Sequence, residues 1–525
     1  MITLKSYLCG AWVEGTGGDV TLVNPATEEP IGTCSSKGLD LQAALAYGRD
    51  VGGATLRAMT FAERGALLKR MSAVLHESRE ELVAASTLNN GATRGDAKFD
   101  VDGAIGTLAF YAKLGEQLGE KHGARKHFVE GAGDQLTRAP RLSGYHLWTS
   151  RTGVALHINA FNFPAWGLAE KAACAILAGM PVLTKPASST ALVAFKLVEL
   201  LVAKADLPAG VLQLVCGSVG DLVEHLMPED VIAFTGSADT GAVLRRSRSV
   251  VERSTRINIE ADSLNAVVLG EDVEVGSDTW HLFIRHLGIE MTQKAGQKCT
   301  ATRRIIVPHH LVSDLEAALT ERLSPVRVGD PAQAGVDMGP LATAQQLKDA
   351  HKGLAALQAD GCKVVVGSAE PWAGKGFFVT PVVLKHETPL TAKTVHSLEV
   401  FGPVATILPY RGAEQASVLV ARGEGTLVCS LYTDDKTFLE TVLLSAASWT
   451  GRILVGSEKI AEQITTPGMV LPASIHGGPG RAGGGEELGG ERGLRFYMQR
   501  TAVQGDRTLL DRILGAPKKE DAAVA

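Results

Sequence analysis

The sequence predicts an α/β protein with two parallel-sheet domains and a small β arm. Three observations predict it. The chain has 525 residues, and chains longer than about 250–300 residues usually split into domains. Its composition, 45% hydrophobic and 21% charged, is that of a globular protein. Short apolar runs alternate with helical stretches twice along the chain, as expected of βαβ units.

The first set reads in order. Val154-Ala155-Leu156-His157-Ile158 is a strand. Residues 167–179 form a small-residue helix ending at a glycine, with Pro181 behind it. Val182-Leu183-Thr184-Lys185 is the next strand. A strong helix over 191–205 has Ser188 and Ser189 as capping candidates and stops before Pro208 and Gly210. Strands follow at 211–215, 231–234, 257–259 and 266–269. A second set starts near Trp280, with strands at 304–307, near Val364, at 404–408 and at 427–432, and a helix near 311–323. Two segments fit neither set: the polar, strand-like stretch 126–152 and the glycine-rich stretch 476–490 with its continuation 495–503. They read as an arm and its returning strand, with edges open to another subunit. A surface hairpin and a loop is the plainer alternative. The charged, Ala-rich tail from Pro517 is expected to fray.

Composition narrows the function. With 52 basic against 57 acidic residues, net charge −5, nothing points to nucleic acid. No run approaches the roughly 20 apolar residues of a membrane span, and the start lacks a secretory signal. The seven cysteines are scattered singly, with no zinc-site or dithiol spacing, so a reducing cytoplasm and no bound metal are expected.

Five strand-end or turn segments carry chemistry. Gly296-Gln297-Lys298-Cys299-Thr300 offers a thiol, which needs a lowered pKa or a base to attack carbon. Lys298 and turn N–H groups could supply part of that. Glu260 ends a strand, where α/β sheets bind ligands, and partial desolvation would suit it as a general base. Asn162, in Phe161-Asn162-Phe163-Pro164, could donate to an oxyanion. Lys185 and the turn Phe234-Thr235-Gly236-Ser237 could meet ribose and phosphate. Each alone has an ordinary reading: a packing thiol, a surface acid, a turn asparagine, a solvated lysine. No G-x-G-x-x-G follows the first strand.

Taken together and in order, these stretches resemble the aldehyde dehydrogenase superfamily over roughly residues 7–503. Met338-Gly339-Pro340-Leu341 and Glu399-Val400-Phe401-Gly402-Pro403-Val404 belong to the same set. The resemblance implies that Cys299 is the nucleophile and Glu260 the base for the thiol, the deacylating water or both. Asn162 and the Cys299 backbone N–H would form the oxyanion hole. It implies cofactor contacts from Lys185 (adenosine ribose), from Thr235, Gly236 and Ser237 (pyrophosphate), from Glu399 and Phe401 (nicotinamide ribose and ring), and from Phe161 and Ser188. The implied domains are a dinucleotide-binding domain over 1–125 and 152–270, a catalytic domain over 271–475, an oligomerisation arm over 126–151 and 476–505, and a tail over 506–525. A homodimer or homotetramer is implied.

A narrower likeness rests on Asn159-Ala160-Phe161-Asn162-Phe163-Pro164, Glu260-Ala261-Asp262-Ser263-Leu264-Asn265 and the run His476 through Glu487. These are similar to the branch acting on ring-opened, CoA-linked semialdehydes in aerobic aromatic degradation. The chain ends at Ala525, so a stand-alone enzyme without a hydratase domain is expected. Two departures stand out. Asp262 and Ser263 replace the superfamily's glycine pair, which puts the swing of Glu260 in doubt. Ser188 stands where many NAD-selective members have a Glu, so NADP is expected to be preferred, with NAD possible. Arg481, Arg492 and Lys126 could meet CoA phosphates, though solvated surface charge is the simpler reading. Competing functions are oxidation of a simple aliphatic or aromatic aldehyde, CoA-acylating dehydrogenation, a cofactor-independent cysteine (thio)esterase, and a non-catalytic scaffold.

Overall fold

A computed structural model describes residues 1–515; the expected frayed tail from Pro517 lies outside them. Two seven-stranded sheets form the body. The first runs, in spatial order, Arg256–Glu260, Val231–Thr235, Ala155–Ile158, Val182–Lys185, Leu212–Leu214, Ser6–Leu8 and Ala11–Val13. Its first five strands are parallel, and Ser6–Leu8 joins antiparallel. From Ala155–Ile158 the chain builds outward through Val182–Lys185 and Leu212–Leu214, then jumps back to Val231–Thr235 on the other side. That reversal opens a crevice at the carboxyl ends of the strands. Register keeps those ends level: Ile158 is opposite both Lys185 and Phe234, and Thr235 is opposite Glu260.

The second sheet runs Lys363–Val366, Val382–Lys385, Val404–Tyr410, Arg304–Pro308, Ala266–Leu269, Thr426–Tyr432 and Thr450–Gly456. Only the Lys363–Val366 edge strand pairs antiparallel. Consecutive strand residues fall in opposite cores: Val268 and Ile306 on one face, Val267 and Ile305 on the other. This is the period-two alternation of a strand covered on both sides. Ala266–Leu269, read above with the first set, pairs instead with Arg304–Pro308 and Thr426–Tyr432. Its apolar pattern suits either sheet, because periodicity reports burial and not which sheet a strand joins.

Three long helices not anticipated in the sequence, Phe61–Glu77, Arg79–Asn90 and Arg94–His122, cover one face of the first sheet. A reciprocal Thr60/Glu63 capping box starts the first of them. The helix at Ala191–Lys204 forms as expected, but neither Ser188 nor Ser189 caps it by a side-chain bond. Ser188 Oγ donates instead to the Gly217 carbonyl at 2.6 Å.

The arm is a three-stranded antiparallel sheet with Leu142–Ser150 between His127–Gln135 and Met498–Asp506. The chain then forms a helix over Arg507–Leu514, so the tail read from 506 begins with regular structure. The glycine-rich segment stays out of this sheet. Ile475–Gly478 and Gly485–Leu488 form a separate hairpin against the Arg256–Glu260 and Thr450–Gly456 strands. No described helix is long and apolar enough to cross a membrane.

Candidate active site

Cys299 lies in a loop five residues before the Arg304–Pro308 strand, so it sits at the amino edge of the second sheet. Glu260 closes a strand at the carboxyl edge of the first. The two edges face each other across a cavity whose lining includes Asn162, Thr235, Glu260, Cys299 and His476.

The loop carrying Cys299 is held from several sides. Lys294, Ala295 and Gly296 take positive φ values of 53°, 51° and 67°, a strained turn that reverses the chain ahead of the thiol. Asn265 donates from Nδ2 to the Cys299 and Ala301 carbonyls at 2.7 and 2.9 Å. Arg303 reaches the carbonyls of Lys298 and Gly402. Asn162 Nδ2 donates to the Gln297 carbonyl at 3.0 Å, which aims its amide at the thiol loop and leaves its second N–H free of protein partners. Lys298 does not help the thiol: its ammonium is buried in an ion pair with Glu290 at 2.9 Å and donates to Gln293 Oε1. Next to Cys299 in sequence, it faces away and anchors the loop.

The electrostatics centre on a residue the sequence reading left in the arm. His476 Nε2 lies 3.2 Å from Glu260 Oε2 and 3.7 Å from the Cys299 sulfur. The thiol, carboxylate and imidazole atoms all lie within 4.8 Å of one another. Burial would push the Glu260 carboxyl up, but the His476 charge and hydrogen bond, with Lys171 behind, outweigh it and hold it at about 2. Burial would lower His476; the carboxylate beside it wins and raises it. Burial and the Glu260 charge together push the Cys299 thiol well up. The directions of these shifts favour the thiol, the carboxylate and the protonated imidazole over their alternative forms. Behind it, Lys171 bridges Glu170 and Glu487 at 3.2 Å each, and burial raises the Glu487 carboxyl to about 7.

Two glycines explain how His476 arrives. A Cβ on Gly483 (φ +106°) or Gly485 would run into the Ile259 carbonyl oxygen, so only glycine lets the hairpin lie against the Glu260 strand. Ala261 N–H donates to the Ala482 carbonyl at 2.9 Å, and Glu486 N–H to Asn258 Oδ1 at 2.9 Å. The signal in the sequence was there: a lone histidine opening a run of glycines, the residues a close backbone approach requires.

The remaining candidates fall into two groups. Phe161 and Phe401 meet edge-to-face at 5.7 Å near Glu399. Glu399 is paired with Arg303 at 3.1 Å and accepts from Ser263 N–H at 2.9 Å. Ser237 caps the helix Ala238–Arg245, and Gly236 N–H donates to the Glu260 carbonyl at 3.1 Å. Lys185 is nearly buried; its ammonium bonds the Pro186 carbonyl at 3.0 Å, and burial lowers its pKa. It and Ser188 stand at the far end of the crevice. One residue beyond the Gly217 carbonyl that Ser188 bonds, Ser218 joins Ser35, Ser36 and Lys37 around a second cavity.

These residues fit a dinucleotide. Among the described residues Thr235 Oγ1 has no hydrogen-bond partner although it is buried, which suits a hydroxyl that meets a ligand in the crevice. The Lys185 ammonium is likewise underused. Asp262 is the exception. Its Oδ1 accepts from Ala238 N–H at 3.0 Å, placing a carboxylate on the helix end that would meet a pyrophosphate. Ser263 is tied down too, through Asn265 Oδ1 at 2.5 Å and Leu427 N–H at 2.9 Å. The segment after Glu260 is therefore pinned on both sides. Arg481 donates to the His396 and Ser397 carbonyls, a fold contact and not a free phosphate ligand; Arg492 and Lys126 are exposed.

Comparison with known proteins matches residues 12–503 to the family model described as "Aldehyde dehydrogenase family". A curated relative, the 3,4-dehydroadipyl-CoA semialdehyde dehydrogenase of Aromatoleum evansii, is 42% identical over 99% of this chain and 100% of its own length. The alpha-ketoglutaric semialdehyde dehydrogenase of Bacillus subtilis (strain 168) is 27% identical over 82% of this chain and 86% of its own. Among solved structures, a betaine aldehyde dehydrogenase from Staphylococcus aureus superposes with a TM-score of 0.83 at 22% identity, covering 96% of this chain and 97% of that one.

Proposed function

The chain belongs to the aldehyde dehydrogenase family, and from that premise we propose that it oxidises a CoA-linked semialdehyde to the free acid, with NADP as the preferred acceptor. The substrate class is that of 3,4-dehydroadipyl-CoA semialdehyde, which places the reaction in aerobic benzoate degradation. The observation that carries the reading is the meeting of Cys299 and Glu260 where the two sheet edges face each other.

In this reading the Cys299 sulfur attacks the aldehyde carbon, its proton passing to a base. The carbonyl oxygen, now negative, is met by the Asn162 amide and the Cys299 backbone N–H. When bound, the nicotinamide supplies the acceptor for the hydride. Thr235, Gly236, Ser237 and Lys185 would hold the pyrophosphate and adenosine end. Phe161, Glu399 and Phe401 would hold the nicotinamide end, which requires Glu399 to leave Arg303. Glu260 then takes a proton from the water that hydrolyses the Cys299 thioester. A hydrolytic base in place favours water over free CoA as acyl acceptor. Ser188, without a carboxylate, leaves room for a 2′-phosphate near Lys185, and Lys37 stands by in the adjoining cavity.

The test is a substrate panel: plain aldehydes against CoA-linked semialdehydes, scored with both nicotinamides and with product analysis in the presence of free CoA. The CoA-linked substrates should give the higher kcat/KM, with NADP, and release free acid. Cys299→Ala should abolish oxidation while keeping cofactor affinity. Preference for simple aldehydes would discard the substrate assignment.

A further inference from the structure

We propose that His476 is a further catalytic residue: its Nε2–H contacts both the Glu260 carboxylate and the Cys299 sulfur and stabilises the thiolate that attacks the aldehyde. The inference rests on Cys299 being the nucleophile and deepens that reading.

The geometry carries it. One ring nitrogen lies 3.2 Å from Glu260 Oε2 and 3.7 Å from the sulfur. That sulfur distance lies within hydrogen-bonding range of a soft acceptor. His476 is 4% exposed and Glu260 2%, so water screens the cluster little. The groups around the ring come from every neighbouring element. Glu260 and Cys299 touch it; Glu170, Arg452 and Glu487 act at longer range, and Lys171 sits between the two outer glutamates. Lys171 offsets those glutamates, which leaves Glu260 as the counter-ion of the ring.

In the attack step the Cys299 S–H bond breaks and its proton passes to Glu260, which releases it to solvent before it acts as base on the deacylating water. The sulfur lone pair forms the bond to the aldehyde carbon, whose π electrons move to oxygen. His476 keeps its proton throughout. As Glu260 is neutralised by that proton, the imidazolium loses its carboxylate partner and gains a thiolate one, so one positive charge serves both states. A bare carboxylate beside the thiol would only oppose its ionisation; a cation touching both groups offsets part of that opposition. The glycines at 483 and 485 exist to bring this ring in.

The test needs neither aldehyde nor nicotinamide, so it stands apart from the substrate assignment. The rate of iodoacetamide alkylation of the Cys299 peptide is followed by mass spectrometry from pH 5 to pH 10. It is measured in wild type, His476→Phe and His476→Gln, with NADP affinity as a check on folding. In His476→Phe the alkylation midpoint should rise by about one unit or more, slowing labelling at pH 7 about tenfold, with NADP affinity unchanged. His476→Gln, which keeps an N–H but no charge, should fall between. If His476→Phe does not fold, the Gln variant decides alone. A midpoint and rate equal to wild type in a folded variant would overturn the proposal, even if dehydrogenase activity were lost.

Discussion

At the scale of single residues, the proposed cofactor reading turns on Ser188 and Asp262. Ser188 Oγ is spent on the Gly217 carbonyl, and the nearly buried Lys185 ammonium donates to its neighbour's carbonyl. A carboxylate introduced there would pair with Lys185 and repel a 2′-phosphate. Ser188→Glu is therefore expected to lower the NADP-to-NAD ratio of kcat/KM at least about tenfold, equivalent to about 1.4 kcal/mol. An unchanged ratio would mean that the preference is set elsewhere. Asp262 places a charge on the amino end of the helix Ala238–Arg245, where a bound anion would also be favoured. Asp262→Gly removes the competitor. Its dissociation constant for NADP, measured by fluorescence titration, should fall about two- to fivefold, the 0.3–1 kcal/mol that a charge at a helix end is worth. Weaker binding would show that Asp262 is itself a ligand. Cys299, Glu260 and Asn162 are expected from sequence because each sits at a strand end or turn in a recognisable order, and the structure brings the three to one cavity. His476 was not read as a site residue: the glycines after it mark a close approach, but its partners lie about 177 and 216 positions away in the chain (476 − 299 and 476 − 260).

At the scale of elements, the hairpin Ile475–Gly478 and Gly485–Leu488 is the piece that completes the site. Its approach to the Glu260 strand leaves no space for a Cβ at Gly483, whose φ of +106° also disfavours any side chain. Gly483→Ala should push the hairpin outward at a cost of about 1–3 kcal/mol, seen as a lower Tm. It should reduce kcat more than it changes NADP affinity, because it displaces the hairpin that carries His476 from the Glu260 strand. Wild-type kcat in this variant would show that the hairpin's position is not needed. The same hairpin shows where sequence reading stops. Glycine content marks close approach but not its target, so the segment was joined to the arm. The strand Ala266–Leu269 was misplaced for a related reason: four buried apolar residues suit the middle of either sheet. Strands whose neighbours in the chain are also their neighbours in space, such as Ala155–Ile158 and Val182–Lys185, were read correctly.

At the scale of the whole molecule, the two sheets bring a crevice and a thiol loop together, and neither makes a site alone. We read residues up to Glu260, apart from the arm, as the cofactor half and Ala266 to Gly456 as the thiol-bearing half. The arm sheet leaves one edge of His127–Gln135 and one edge of Met498–Asp506 unpaired, and the helix after it exposes Leu509 and Ile513. Such edges and apolar side chains are normally covered, so sedimentation is expected to give a dimer or tetramer, and a stable monomer would remove the arm from that role. The central claim is the covalent step. Its most direct measurement is rapid-quench peptide mass spectrometry of the wild-type protein mixed with aldehyde and NADP. The account predicts an acyl mass on the Cys299 peptide that appears with the reduced nicotinamide and decays as free acid is released. Acid formation with no adduct on Cys299, or with the adduct on another residue, would contradict it.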